Sequence, residues 1–129
     1  MTIFVIDGAA VHDIASLYDE LNRLFMSAED WRLGASLDAL DDLLSGGFGA
    51  LHGVADARVV WMDHAHSRRV LGTDATSRYY REKLSRPDLY DAQYFRPLLD
   101  AVEAGTGATY FDIVLAVFAG HPQIELVLA

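Results

Sequence analysis

The chain of 129 residues contains no cysteine. That excludes disulfide frameworks, thiolate zinc sites and cysteine nucleophiles, and it accords with a reducing compartment. Long apolar runs are missing too. The longest, Ile113 to Gly120, has 8 residues, against the roughly 20 that a membrane-spanning helix needs. The opening Met1-Thr2-Ile3-Phe4-Val5-Ile6-Asp7-Gly8 has no basic region, and its apolar run is too short for a secretory signal. A soluble, cytoplasmic protein with no membrane partner is therefore expected. No serine sits in a nucleophile elbow, and no phosphate-cradling loop follows a strand; Gly46-Gly47-Phe48-Gly49 comes after a helical pattern instead. Neither an enzyme nor a bound cofactor is expected.

Basic residues are absent from 97–129, which hold 4 acidic ones, and residues 1–57 hold 2 basic against 10 acidic. Only residues 58–96 lean the other way, with 8 basic and 5 acidic, and the net charge is −9. Such a chain repels nucleic-acid phosphates and suits a basic protein partner, since opposite fields speed encounter. Charge alone is explained more plainly by solubility.

With 52% hydrophobic residues, one domain spanning 1–129 can bury a core without staples. Thr2 to Ile6 reads as a strand closed by the turn Asp7-Gly8. Asp13 is placed to cap a helix whose apolar face is Ile14, Leu17, Tyr18, Leu21, Leu24 and Phe25. Ser27 to Arg32 breaks that pattern. Ser36 then caps a shorter helix, with Leu37, Leu40, Leu43 and Leu44 inward and Asp38, Asp41, Asp42 and Ser45 outward; Gly46-Gly47 stops it. A connection over 45–57 leads to a second strand, Ala57 to Met62. Residues 64–77 read as irregular. Helices are expected over Thr76–Leu84, over Phe95–Ala104 with Pro97 in its first turn, and over Tyr110–Ala119. The last stops at Gly120-His121-Pro122, before an almost wholly apolar, buried strand, Ile124 to Leu128. Strands separated by helices imply an α/β fold, a small parallel sheet with helices packed on it. A monomer is expected, as no broad exposed apolar stripe is evident.

Two groups of residues are candidates for chemistry. Asp38, Asp41 and Asp42 crowd like charges on one helix face, at a cost of a few tenths of a kcal/mol per pair at spacing four; the helix dipole offsets this near Asp38. The pattern alone describes a solvated face better than a site, and magnesium binding lacks a second acidic cluster. Asp63, His64 and His66 follow a strand, where parallel sheets often bind ligands, but no third partner for a metal is placed by the sequence, and ordinary loop residues are the simpler reading.

The order of elements and several strings resemble the barstar family of ribonuclease inhibitors. They are Phe4-Val5-Ile6-Asp7-Gly8, the helix through Leu17, Leu21 and Leu24, the segment Gly34-Ala35-Ser36-Leu37-Asp38-Ala39-Leu40-Asp41-Asp42, and the closing pair of an apolar helix to Phe118 and Ile124-Glu125-Leu126-Val127-Leu128. The likeness covers roughly 2–44 and 108–129. It implies a three-stranded parallel sheet packed against several helices, and a protein that plugs a basic ribonuclease with an acidic helix. Asp38 and Asp42 fall on the family's two acidic positions. Asp41, Trp31, Leu33, Gly34 and Ser36 complete the implied partner-binding edge. The chain departs from the family in four places. Arg32-Leu33 replaces an aromatic pair, with Trp31 one place earlier. Ser36 replaces an asparagine and Asp41 a tryptophan, and Ala116 or Val117 lies where a glutamate is usual. Extra length falls between 63 and 107. A non-inhibitory interaction module of the same fold is the alternative, and the role of the basic stretch Arg68 to Arg86 stays open.

Overall fold

Three short strands pair side by side in the computed structural model, which describes residues 1–129. They are β1 (Thr2–Asp7), β2 (Ala57–Met62) and β3 (Ile124–Leu128). Both pairings are parallel, in the order β1-β2-β3, with Thr2 opposite Ala57 and Trp61 opposite Leu128. Six helices occupy the connections: α1 (Ile14–Phe25), α2 (Leu37–Leu44), α3 (His64–Val70), α4 (Thr73–Leu84), α5 (Ala92–Glu103) and α6 (Tyr110–Ala119). The expected fold class, a three-stranded parallel sheet packed against several helices, is the one observed.

Alternation along the strands sends Ile6, Val59 and Trp61 into the core, where they are fully buried with Leu17, Leu21 and Phe25 of α1, Leu40, Leu43 and Leu44 of α2, and Phe111, Val114 and Phe118 of α6. The opposite face is open. Ile3 and Val5 are exposed there, and Arg58 bridges Glu125 at 2.9 Å across β2 and β3. Strand β3 was expected to be buried throughout, but it forms a sheet edge with only Ile124 fully buried. Its apolar composition serves one covered face and the partly shielded residues Leu126, Val127 and Leu128.

Helix α1 starts as its sequence dictates. Asp13 accepts from the Ser16 N–H at 2.8 Å, and the Ser16 hydroxyl returns the favour to the Asp13 N–H at 3.0 Å, a reciprocal capping box. Gly8 sits where β1 turns; a Cβ there would collide with the Met62 and Asp63 carbonyls and the Ser67 hydroxyl.

Residues 64–77 are not irregular. They form α3 and the first turn of α4, which begins three residues before the expected Thr76. The seven residues of α3 have no apolar stripe to read; tertiary contacts hold them. Ser67, fully buried, accepts from Trp61 Nε1 at 3.0 Å and donates to the Gly8 carbonyl at 2.9 Å, while Arg68 lies 4.7 Å over the Phe111 ring. Helix α5 also starts early, at Ala92, because the Asp91 carboxylate caps it through the Gln93 N–H at 2.9 Å. Pro97 therefore lies inside the helix and not in its first turn, and the Gln93 carbonyl loses its usual helical donor.

The α4–α5 pair has its own small core of Tyr80, Leu99 and Val102, and Arg81 pairs with Glu103 across it. Buried Thr76 fastens this pair to the rest. It donates to the Gly72 carbonyl and accepts from the Tyr110 N–H, both at 2.7 Å, satisfying one of the donors that the start of α6 leaves open.

Candidate functional site

Helix α2 is short but firmly started. The Ser36 hydroxyl accepts from the Ala39 N–H at 3.0 Å, as its position before the first leucine predicts. Its apolar side, Leu40, Leu43 and Leu44, is fully buried against the core. Helical spacing then places Asp38, Asp41 and Asp42 in solvent on one exposed face. The carboxylates are held on a helix that cannot roll without unpacking three leucines.

Asp41 is not like its two neighbours. Its Oδ1 lies 2.6 Å from Nε2 of His121, in the turn between α6 and β3. Asp38 and Asp42 have no basic side chain within 4.0 Å. On α6, which packs against α2, Ala116 is exposed and Val117 half-buried, and neither adds charge.

The segment leading into α2 is fastened from below. Asn22 of α1 is buried and clamps Leu33 from both sides: its Oδ1 accepts from the Leu33 N–H at 2.6 Å and its Nδ2 donates to the Leu33 carbonyl at 3.1 Å. The same Nδ2 also donates to the Tyr18 carbonyl at 2.8 Å. Leu33 was expected on the binding edge. Its side chain is instead only 6% exposed and belongs to the core, and both of its backbone groups are taken. Its contribution is to anchor the loop. Trp31 remains 45% exposed, with its ring tilted against Phe48 at 4.8 Å between centroids. Glu29 accepts from the Gly49 N–H at 3.1 Å and holds the same two segments together.

Gly34 is exposed, its φ is not positive, and a Cβ added to it would touch nothing within 4 Å. Neither backbone conformation nor internal packing asks for glycine there. The bare backbone leaves a flat, accessible step between Trp31 and the α2 carboxylates.

Asp63, His64 and His66 do not converge. Asp63 is the only non-glycine residue with positive φ, at 54°, and opens α3. The His64 ring faces the Ala129 carbonyl at 2.8 Å and the His66 ring the Val11 carbonyl at 2.9 Å. No group of three or more His, Asp or Glu side chains is arranged to hold a metal ion.

Sequence reading missed Asn22, His121, Phe48 and Glu29. Asn22 did leave a signal: it follows Tyr18 at spacing four, next to Leu21 on the apolar side of the helix, and a polar residue buried there must find partners. His121 left none, because its partner is 80 residues away.

No helix is long and apolar enough to cross a membrane. A search of the curated proteins finds no match to the chain. The family model described as Barstar (barnase inhibitor) matches residues 1–81, the stretch that carries β1, α1, the clamped loop, α2, β2, α3 and most of α4; α5, α6 and β3 lie beyond it. With well over half its length matched and the parallel three-stranded sheet in place, the chain belongs to the Barstar family.

Proposed function

We propose that the protein is a cytoplasmic inhibitor of a basic, barnase-type ribonuclease, and that it plugs the enzyme's active site with the exposed face of α2. Asp42 is the central contact and Asp38 the second, while Trp31, Gly34 and Ser36 form the adjoining edge and Asp41 adds to the field. The observation that carries this reading is the pair of unpartnered carboxylates on a capped helix pinned by three leucines, next to a loop pinned by Asn22. A ribonuclease site offers Arg, Lys and His donors spaced for phosphate oxygens, and a carboxylate presents a similar acceptor. Rigid presentation helps because little conformational freedom is lost on docking. Charge pairs buried at an interface are worth about 2–5 kcal/mol on truncation.

The test is a titration of barnase-type ribonucleases with the purified protein and with its Asp42→Ala variant, at several salt concentrations. Stoichiometric inhibition that weakens with salt and drops about 30-fold or more in the variant is expected. Inhibition indifferent to Asp42 would overturn the acidic-helix mechanism. Binding without inhibition would identify an interaction module of the same fold.

A further inference from the structure

Five of the six basic residues from Arg68 to Arg86 divide into two sets, and the sixth, Arg69, is neither ion-paired nor in the cleft between α1 and α4. Arg68 lies over Phe111 and 4.0 Å from Asp112, and Arg81 pairs with Glu103; these cations are used internally. Arg78, Lys83 and Arg86 have no carboxylate within 4.0 Å, although the chain carries a net charge of −9. All three line one cleft of about 380 Å³ between the start of α1 and α4. Lys83 is held in it by rings, 4.8 Å above Tyr79 and 4.1 Å above Tyr90.

The cleft also reaches Ala35, so it opens directly beside the Gly34–Ser36 step that leads into the acidic face of α2. Two carboxylates share the lining. Asp13 is committed to the α1 cap, so among the lining carboxylates Glu82 is left to oppose three cations, with Asp38 of α2 close enough for its charge to act on Tyr79. The Tyr79 hydroxyl, pushed by burial up to about 12 from an ordinary value already well above neutral, is a further donor in the lining.

We infer that this cleft is a second docking point for the protein partner that α2 engages, and that it receives an acidic side chain or short acidic segment of that partner. The inference rests on the reading of α2 as the partner-binding face. A positive cleft beside a negative helix makes the surface bipolar, which sets the register of docking and rejects partners that are uniformly basic.

Two-dimensional NMR of the ¹⁵N-labelled protein tests it with three named probes: a capped tetraglutamate peptide, a capped tetralysine peptide and inorganic phosphate. Tetraglutamate is expected to move the amide signals of residues 75–90 and Ala35. The exposed-residue variant Arg78→Glu/Arg86→Glu should weaken that binding about tenfold or more, and Arg78→Gln/Arg86→Gln by less. Tetralysine should move the signals of Asp38 to Ser45 instead. The inference is overturned if tetraglutamate leaves residues 75–90 unmoved, or if the charge reversal has no effect. Phosphate binding as tight as tetraglutamate binding would also overturn it, since the cleft would then be a small-anion site. Tetraglutamate in the cleft with no tetralysine on α2 would remove the acidic-helix reading and leave the cleft as an acidic-peptide site.

Discussion

His121 Nε2 lies 2.6 Å from Asp41 Oδ1, joining the turn after α6 to the middle of α2. The histidine side chain is 12% exposed and the aspartate 60%, so the contact is half shielded and Asp41 can still be seen from outside. One of the three carboxylates thus has an internal partner, and the other two have none.

Alanine replacements at the three positions should therefore rank. Asp42→Ala and Asp38→Ala are expected to weaken ribonuclease inhibition most, with stability changed by less than about 0.5 kcal/mol. Asp41→Ala should do the reverse, costing up to about 1 kcal/mol of stability through the lost hydrogen bond to His121 and less inhibition. Parallel denaturant titrations and inhibition assays would show the ranking, and equal effects at all three sites would contradict it.

Asn22→Ala should be among the most damaging changes near the site. It leaves the Leu33 N–H and carbonyl without partners beneath the loop, a loss of about 2–4 kcal/mol. Hydrogen exchange at the Leu33 amide is the direct readout, with protection expected to fall far more than at Leu21 or Val59.

Gly34→Val is expected to separate folding from binding. Nothing lies within 4 Å of the added Cβ, and a Gly34→Ala control, which loses glycine's freedom in the unfolded chain, should gain about 0.4–1 kcal/mol of stability. Inhibition by the valine variant should fall nonetheless, because the flat step next to α2 becomes occupied. A variant both as stable and as inhibitory as the parent would show that the step is not a contact.

Glu20 sets part of the acid limit. Burial pushes its carboxyl up, but hydrogen bonds from Arg23 at 2.6 and 2.7 Å and from the Asp7 N–H at 2.6 Å outweigh this, and the net shift is downward. A carboxyl lowered in the folded state stabilises above its unfolded value, and the contribution is lost as pH falls through the folded one. Glu20→Gln should destabilise the protein at neutral pH by about 1–3 kcal/mol. The gap between variant and parent should narrow below about pH 4; urea midpoints measured from pH 7 to pH 3 check the slope.

The alkaline limit has the opposite sign. Tyr18 and Tyr110 share a buried hydroxyl contact at 2.6 Å, and burial pushes Tyr18 up to about 12 and Tyr110 higher still. Their contribution is complete below the ordinary value of 10.0 and lost as pH rises through the folded values. Tyrosinate absorbance should appear together with unfolding above about pH 10. Tyr18→Phe should cost about 1–3 kcal/mol at neutral pH by orphaning the Tyr110 hydroxyl.

The parts of this structure that could be read from sequence are those whose cause is local. Strand β2 and helix α6 begin and end where their patterns place them, and Ser36 and Asp13 cap where they stand. The acidic face of α2 follows from spacing alone. What escaped has distant causes. Helix α3 depends on Ser67 reaching both Trp61 and Gly8, and Leu33 is drawn inward by an asparagine on another helix. The early start of α5 shows a third route, in which one local signal, the Asp91 cap, prevails over another, the proline. The site was legible as a set of charges, while its rigidity was not.

The strand order also bears on how the protein reaches this state. Thr2 meets Ala57 and Ala57 meets Ile124, so each pairing closes a loop of about half the chain before any ladder bond can form. Such non-local closures slow folding relative to an all-helical bundle of the same size. While only one of the two pairings has formed, the central strand β2 has one bare edge, whose backbone N–H and C=O groups can pair with another chain. The stage at greatest risk of aggregation is thus the half-built sheet, and cosolutes or temperatures that hasten its completion should raise the yield of refolding more than those that merely strengthen the finished fold.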